Sequence, residues 1–142
     1  MILCDVNVLV YAFEPTSPRH DEYRSWLQET LSSVEPYGVS ELVLSGFLRV
    51  VTHPKIFDPP SPTPAAVAFA QAVRSAANAV TIQPGTRHWA IFTGLLDETA
   101  AAGNAVPDAY LAALAIESGS EWITTDRGFA RYPHLRWRHP LG

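Results

Sequence analysis

The sequence predicts an α/β fold, a three-layer α/β/α sandwich around a short and mostly parallel central sheet. One observation is that short apolar runs, typical of buried strands, alternate with longer segments of helical spacing. Strands joined through helices form right-handed crossovers, which give parallel strands with helices on both faces. The other observation is that an acid follows a strand near each end of the chain, Asp5 after residues 2–4 and Asp126 after residues 122–125. In such sheets, ligands bind beyond the carboxyl ends of the strands.

The length and composition of the chain predict one globular domain over residues 1–142. A chain of 142 residues is long enough to bury roughly two thirds of its unfolded surface. Hydrophobic residues make up 47% and charged residues 17%, and no apolar run approaches the roughly 18 residues that cross a bilayer. The start does not resemble a signal peptide, and the single Cys4 excludes an internal disulfide. We therefore expect a cytoplasmic protein that is not associated with a membrane.

The elements of the first half follow from its apolar spacing. Residues 2–4 predict a buried strand that leads at once into a helix, and residues 23–34 predict an amphipathic helix. Residues 37–39 predict a second strand, and Ser40 is suited to cap a mostly buried helix over residues 42–51. The inward positions of the two longer helices are predicted to be Tyr23, Trp26, Leu27, Leu31, Val34, Leu42, Val43, Leu44, Phe47, Leu48, Val50 and Val51.

Five of the twelve prolines lie in residues 54–64, which predicts a semi-rigid loop within the domain. A helix is expected to resume at about Pro64, with Val67, Phe69, Ala70 and Val73 inward. Residues 79–82 predict a third strand, and the next helix carries Trp89 to Leu96 and is closed by Gly103.

The stretch from residue 104 to residue 129 mirrors the start of the chain. Pro107 suits the first turn of a helix, Asp108 follows it, and Gly119 is a typical residue just beyond a helix C-terminus. Residues 122–125 then predict a strand that delivers Asp126 at its end. The pattern of a strand followed directly by an acid therefore occurs twice in the chain.

Four acids stand out by position: Asp5, Glu41, Asp108 and Asp126. Each can be explained structurally, because acids cap helices and complement the helix dipole. Several carboxylates at one sheet edge, however, would repel one another unless a positive charge lay between them. Oxygen ligands without His or Cys favour a hard cation, Mg²⁺ or Mn²⁺.

Other chemistries find little support in the sequence. The five histidines lack the spacing of a zinc site, and there is neither a GxSxG nucleophile motif nor a phosphate-binding glycine motif. The net charge of −4 argues against a broadly basic nucleic-acid-binding surface, although the end of the chain is locally basic. Acidic metal chemistry is the remaining hypothesis.

Four segments together resemble a PIN domain, and more closely a VapC-type ribonuclease toxin of a bacterial toxin–antitoxin pair. The segments are ILCDVNVLVYAF, SELVLSGFLRVVTHP, VPDAYLAALAIESG and TTDRGFARYP. The resemblance implies a PIN-like fold and a Mg²⁺- or Mn²⁺-dependent endoribonuclease that arrests growth. It places Asp5, Asp108 and Asp126 on the family's acidic positions, where they would hold the metal, and it implies supporting roles for Asn7 and Thr125.

One position departs from the pattern of many PIN domains. Their remaining acid is a Glu in the second turn of the middle helix, where this chain has Gly46. We expect Glu41, at the start of that helix, to act as the fourth catalytic residue beside a space left open by Gly46. We expect Arg127 and the basic end of the chain to steer the RNA backbone.

The expected partners are an RNA substrate, a small cognate antitoxin and a second copy of the chain in a homodimer, as the resemblance implies. Two alternatives to the nuclease remain. One is a non-catalytic PIN-like module that binds RNA or protein. The other is a phosphatase with Asp5 as nucleophile, in which the usual second acid would be replaced by Asn7.

Overall fold

The computed structural model describes residues 1–142, which form five strands and six α-helices. The strands are β1 (Ile2–Cys4), β2 (Tyr37–Val39), β3 (Ala79–Thr81), β4 (Glu121–Ile123) and β5 (Trp137–Arg138). The helices are α1 (Val6–Phe13), α2 (His20–Ser32), α3 (Glu41–Val51), α4 (Thr63–Ser75), α5 (His88–Thr99) and α6 (Ala105–Ser118). A short 3-10 helix, Arg127–Arg131, precedes β5.

All five strands are parallel, in the order β3-β2-β1-β4-β5. β2 and β3 therefore lie on one side of β1, and β4 and β5 lie on its other side. Right-handed crossovers then place α1 to α4 on one face and α5 and α6 on the other, in agreement with the packing of α5 on α6 and of α1 on α2 and α3. The predicted three-layer α/β/α sandwich is confirmed, and its topological switch point lies between β1 and β4.

The core lies between the sheet and the two helical layers, where 29 buried hydrophobic residues form one cluster. Its largest fully buried side chains include Trp122, Phe47, Phe129 and Leu3. They come from three elements and the 3-10 helix, so burial of apolar surface ties the two ends of the chain to the middle. None of the helices is both long enough and apolar enough to span a membrane.

The helix ends follow local chemistry. The Ser40 hydroxyl caps α3 by accepting a hydrogen bond from the Val43 amide at 3.4 Å, as predicted. Gly119 adopts φ 68° after α6, a left-handed conformation that glycine reaches without a Cβ penalty. The expectation that Gly103 closes α5 was wrong, because the helix ends at Thr99 and Ala100 takes the left-handed position.

Three residues that were predicted to face inward are exposed instead. Val34 lies beyond the end of α2, while Leu42 and Val67 lie on the outer faces of α3 and α4. In α3 and α4 the adjacent residues, Val43 and Ala66, are buried in place of Leu42 and Val67. Two short segments that apolar spacing did not predict, the 3-10 helix and β5, complete the sheet edge after Asp126.

Candidate active site

Three of the predicted acids face one open cavity of about 400 Å³ at the carboxyl ends of β1 and β4. Asp5, Asp108 and Asp126 line it together with Asn7, and the other lining residues are apolar. Because β1 and β4 meet at the topological switch point, the sheet itself leaves a crevice here. The structure therefore brings together acids that lie far apart in the sequence.

Asp5 is held rigidly at the floor of the cavity. Its side chain is 7% exposed and accepts hydrogen bonds from the Val6 amide at 2.7 Å and the Thr124 hydroxyl at 2.7 Å. The Asn7 amide donates a third, longer bond of 3.3 Å. Burial raises the pKa of Asp5 from 3.8 to about 6; the bonds from Thr124 and Val6 oppose this rise, and Asp108 and Asp126 add to it.

The hydroxyl of Thr124 connects the two strand ends. It donates to Asp5 Oδ2, and it accepts from the Asp126 amide at 3.0 Å and from Asn7 Nδ2 at 3.3 Å. Thr125, the residue expected to supply a hydroxyl, instead donates its backbone N–H to Asn7 Oδ1 at 3.3 Å. β4 ends at Ile123, two residues earlier than predicted, and the fully buried Thr124 hydroxyl lies behind Asp5 and not among the lining residues of the cavity.

Asp126 and Asp108 face the cavity from its more open side. Asp126 is exposed and caps the 3-10 helix by accepting a hydrogen bond from the Gly128 amide at 2.8 Å. Asp108 lies in the first turn of α6, and no hydrogen-bond donor of the chain reaches its carboxylate. Partial burial raises the pKa of Asp108, Asp126 raises it further, and Arg131 lowers it.

Arg131 is the cationic side chain that approaches these acids. Its Nη2 lies 3.8 Å from Asp108 Oδ2, its Nε donates to the Gly128 carbonyl at 2.7 Å, and its guanidinium lies over the Tyr132 ring. A Cβ on Gly128 would lie 2.8 Å from Arg131 Nη2 and 2.9 Å from Asp126 Oδ1, so any larger residue would require these two side chains to shift. One half-exposed arginine does not neutralise three carboxylates.

A sequence profile described as the PIN domain matches residues 2–135 of this chain. The chain belongs to the PIN domain family. Two curated relatives extend over nearly all of this PIN domain. A Mycobacterium bovis protein named VapC ribonuclease Mb2897 is 43% identical over 141 residues, which are 99% of this chain and 96% of that protein. The Mycobacterium tuberculosis protein named Ribonuclease VapC25 is 39% identical and covers 99% of both chains. The PIN domain is thus of the VapC type.

Solved structures support the same fold. A chain of VapBC2 from Rickettsia felis, bound to a DNA fragment from its promoter, has a TM-score of 0.71 at 20% identity and covers 98% of both chains. VapBC-1 from nontypeable Haemophilus influenzae has a TM-score of 0.67 at 15% identity and covers 100% of both chains. At these identities the likeness shows the fold of the PIN domain alone.

Glu41 does not lie in the acidic cavity of this PIN domain, and its predicted place there has to be corrected. It is exposed and pairs with Arg74 of α4, whose Nη2 lies 2.9 Å from Glu41 Oε2. The two residues line a separate groove between α3 and α4. As the first residue of α3, Glu41 points along the face that packs against α4, which is the face turned away from β1 and β4.

The space expected at Gly46 is also absent. A Cβ at Gly46 would lie 2.9 Å from Val6 Cγ2, so this turn of α3 packs closely against the first residue of α1. Val6 is itself a lining residue of the acidic cavity. An apolar side chain from α1 therefore closes the part of the wall that was expected to be open.

The basic end of the chain does not form one RNA-facing patch. Arg136 donates to the Gly119 carbonyl at 2.9 Å, and Arg138 pairs with Glu121 at 2.9 Å. Arg127 is exposed beside Asp126, and it makes neither an ion pair nor a hydrogen bond through its side chain. Arg131, which the sequence marked only as one of several basic residues, is the arginine in contact with the acids.

The three acids form a loose set of oxygen donors. As the side chains stand, no group of three His, Cys, Asp or Glu residues is close enough to hold one ion between them. Mg²⁺ normally keeps several of its waters and needs only one or two carboxylates from the protein. The donor set therefore fits a partly hydrated hard cation, and it lacks the nitrogen and sulfur ligands of a zinc site.

Proposed function

We propose that this PIN domain is a single-domain, Mg²⁺- or Mn²⁺-dependent endoribonuclease that acts as the toxin of a toxin–antitoxin pair. The observation that carries the proposal is the cavity at the switch point, where Asp5, Asp108 and Asp126 face one space and only Arg131 lies within ion-pair distance of them. Both VapC relatives are named ribonucleases, and this chain matches them over nearly their whole length, which supports the same activity.

The metal would be held by the acids of the cavity. Asp5 and Asp126, at the ends of neighbouring strands, are our choice for direct contact, and Asp108 would bind a second ion or hold waters of the first. When bound, a divalent ion supplies positive charge and Lewis acidity to the phosphodiester, which an acidic cavity would otherwise repel. The catalytic set is then Asp5, Asp108 and Asp126, without Glu41.

The remaining chemistry is assigned to the residues of the chain. Thr124 and the Val6 amide fix both oxygens of Asp5, so this carboxylate keeps its direction during a reaction cycle. The Asp108 carboxylate is free of hydrogen bonds and sits in the cavity, where it can accept the proton of an attacking water. Arg131 is placed to contact the phosphate when it leaves Asp108.

A toxin of this kind requires an inhibitor, and the similarity to chains of VapBC complexes supports a small antitoxin as partner. An apolar groove between α1, α2 and α4 is a candidate docking surface; it is lined by Ala12, Phe13, Pro15, Leu27, Leu31 and Phe69, with His20, Arg24 and Gln28 at its rim. Trp26 lies outside that groove, in a second one near the amino ends of β1 and β2. We further propose a homodimer that acts in the cytoplasm.

Cleavage of single-stranded RNA by the purified chain tests the activity. We expect cleavage in Mg²⁺ or Mn²⁺, none in EDTA, and none by a variant with both Asp5→Asn and Asp126→Asn. Expression in bacteria should arrest growth, and the double variant should not. RNA binding without cleavage in either metal would instead favour the non-catalytic module.

A further inference from the structure

The acidic cavity has a second wall that the proposed cleavage does not explain. Apart from the three carboxylates and Asn7, the lining residues are hydrophobic: Val6, Val10, Tyr11, Val50, Ile56, Phe57 and Phe129. A phosphodiester and its metal ion are charged and gain nothing from contact with an apolar surface. A ligand that fills the whole cavity must therefore combine a charged part with an apolar part.

Two residues of this wall, Ile56 and Phe57, differ in their relation to the core: Phe57 packs against it, whereas Ile56 lies outside it. They lie in the proline-rich loop after α3, and Ile56 remains 49% exposed while Phe57 is part-buried. A ligand bound in the cavity would remove this apolar surface from water, which is favourable. Both side chains line the same cavity as the three carboxylates.

The loop that carries them is anchored at both ends. The amides of Ile56 and Phe57 donate to the His53 carbonyl at 3.0 and 3.1 Å. Farther along, the Ser61 amide donates to the Val51 carbonyl at 2.9 Å, and the Ser61 hydroxyl donates to the buried Glu14 at 2.7 Å. The apolar wall is therefore held in place before a ligand arrives, which reduces the entropy lost on binding.

We propose that Ile56 and Phe57 form a nucleobase-binding wall, which holds an unpaired base beside the phosphate at the acids. This inference rests on the proposed ribonuclease function and names two residues that select its substrate. A nucleobase offers an apolar face that stacks on aromatic side chains, whereas its phosphate is charged, so one nucleotide matches both walls. A base inside a duplex is already stacked and paired, so the wall favours single-stranded RNA.

Binding of RNA in a cleavage-free background tests the wall. All proteins carry both Asp5→Asn and Asp126→Asn, which prevents cleavage and removes two of the three charges that would repel the phosphate. Binding is measured in EDTA by fluorescence anisotropy, with an oligoadenylate and with an abasic ribose–phosphate chain of the same length. We expect Phe57→Ala to weaken oligoadenylate binding on the order of tenfold, the scale of one lost base stack, and to leave the abasic chain unaffected. Ile56→Ser, at a position that is half exposed, should act in the same direction by a smaller factor.

Trp89→Ala is the matched control, because Trp89 is 70% exposed and lies outside the cavity. It should change neither binding constant. Equal losses on the oligoadenylate and the abasic chain, or no loss from either Phe57→Ala or Ile56→Ser in folded protein, would overturn the base-binding wall. RNA cleavage by the unmodified protein is measured in parallel. If the protein cleaves RNA but the wall substitutions do not weaken oligoadenylate binding, only the base-binding wall is refuted. If they weaken it but the protein does not cleave RNA, only the ribonuclease function is refuted.

Discussion

The acidic cavity and the groove that holds Glu41 both contain acids from helix starts near the same sheet edge, but they differ in how far the negative charge is neutralised. In the cavity, three carboxylates share a space in which the nearest arginine is 3.8 Å from one of them. In the groove, one carboxylate has its own arginine at 2.9 Å. A carboxylate that is already neutralised has little reason to recruit a cation. Excess negative charge, and not position near a strand end, therefore distinguishes the candidate site.

The largest expected effect is on stability, because only the cavity contains a buried aspartate. The pKa of Asp5 is raised from 3.8 to about 6, so between these values the folded protein holds a proton that the unfolded chain releases. Ionisation of Asp5 should therefore remove roughly 3 kcal/mol from the unfolding free energy of the metal-free protein as pH rises from below 4 to above 6, since a tenfold change in an acid's ionisation constant corresponds to about 1.4 kcal/mol.

Urea unfolding in EDTA at several pH values measures this loss. The other carboxylates titrate in both proteins, so the loss is read as the difference between the wild-type profile and that of Asp5→Asn, and it should be absent from the variant. Two profiles that run parallel between pH 4 and pH 6 would show that the folded protein does not hold Asp5 protonated.

A divalent ion should relieve the repulsion among the three acids. Any ligand that binds only the folded state stabilises it by about 2.7 kcal/mol at a hundred times its Kd, so saturating Mn²⁺ should raise the Tm by several degrees. The shift should shrink in Asp126→Asn, which removes an exposed acid without opening the core. An unchanged shift in that variant would remove Asp126 from the metal site.

Arg131 partly offsets the negative charge of the cavity, and its removal should change metal affinity by less than the loss of an aspartate does. Arg131→Gln takes away a cation 3.8 Å from Asp108 and should tighten Mn²⁺ binding severalfold, as measured by calorimetry. Arg127→Gln is the matched control, because this neighbouring exposed arginine pairs with none of the acids. Equal effects of the two substitutions would assign the change to net charge alone.

The smallest effect is expected in the groove. Glu41→Gln should lower the free energy of unfolding by less than about 1 kcal/mol, because its pair with Arg74 is exposed and exposed ion pairs contribute little. Chemical denaturation measures the change. A loss of several kcal/mol would mean that the pair supports the packing of α3 on α4 far more strongly than its exposure indicates.

The sequence predicted the alternation of strands and helices well, because apolar spacing records which face of an element is buried. It also identified Asp5, Asp108 and Asp126, which the fold brings to one cavity. It did not identify Thr124. The resemblance to PIN domains implied a supporting role for Thr125, whereas the hydroxyl that donates to Asp5 belongs to Thr124.

The misplacement of Glu41 has a different cause. Spacing along the chain located it at a sheet edge, but the direction of a side chain at the first turn of α3 depends on which helix packs beside it. The pairing with Arg74 of α4 and the contact of Gly46 with Val6 of α1 are both long-range features. No local pattern in the sequence contains them.

RNA cleavage by Asp5→Asn and Glu41→Gln, measured side by side in Mn²⁺, tests the central claim most directly. We expect Asp5→Asn to reduce the rate on the order of a hundredfold or more, as loss of a charged group in a metal site commonly does. Glu41→Gln should cleave within about twofold of the unmodified protein, because its charge is paired outside the cavity. A comparable loss in both variants would contradict the three-aspartate site, and full activity in Asp5→Asn would refute it.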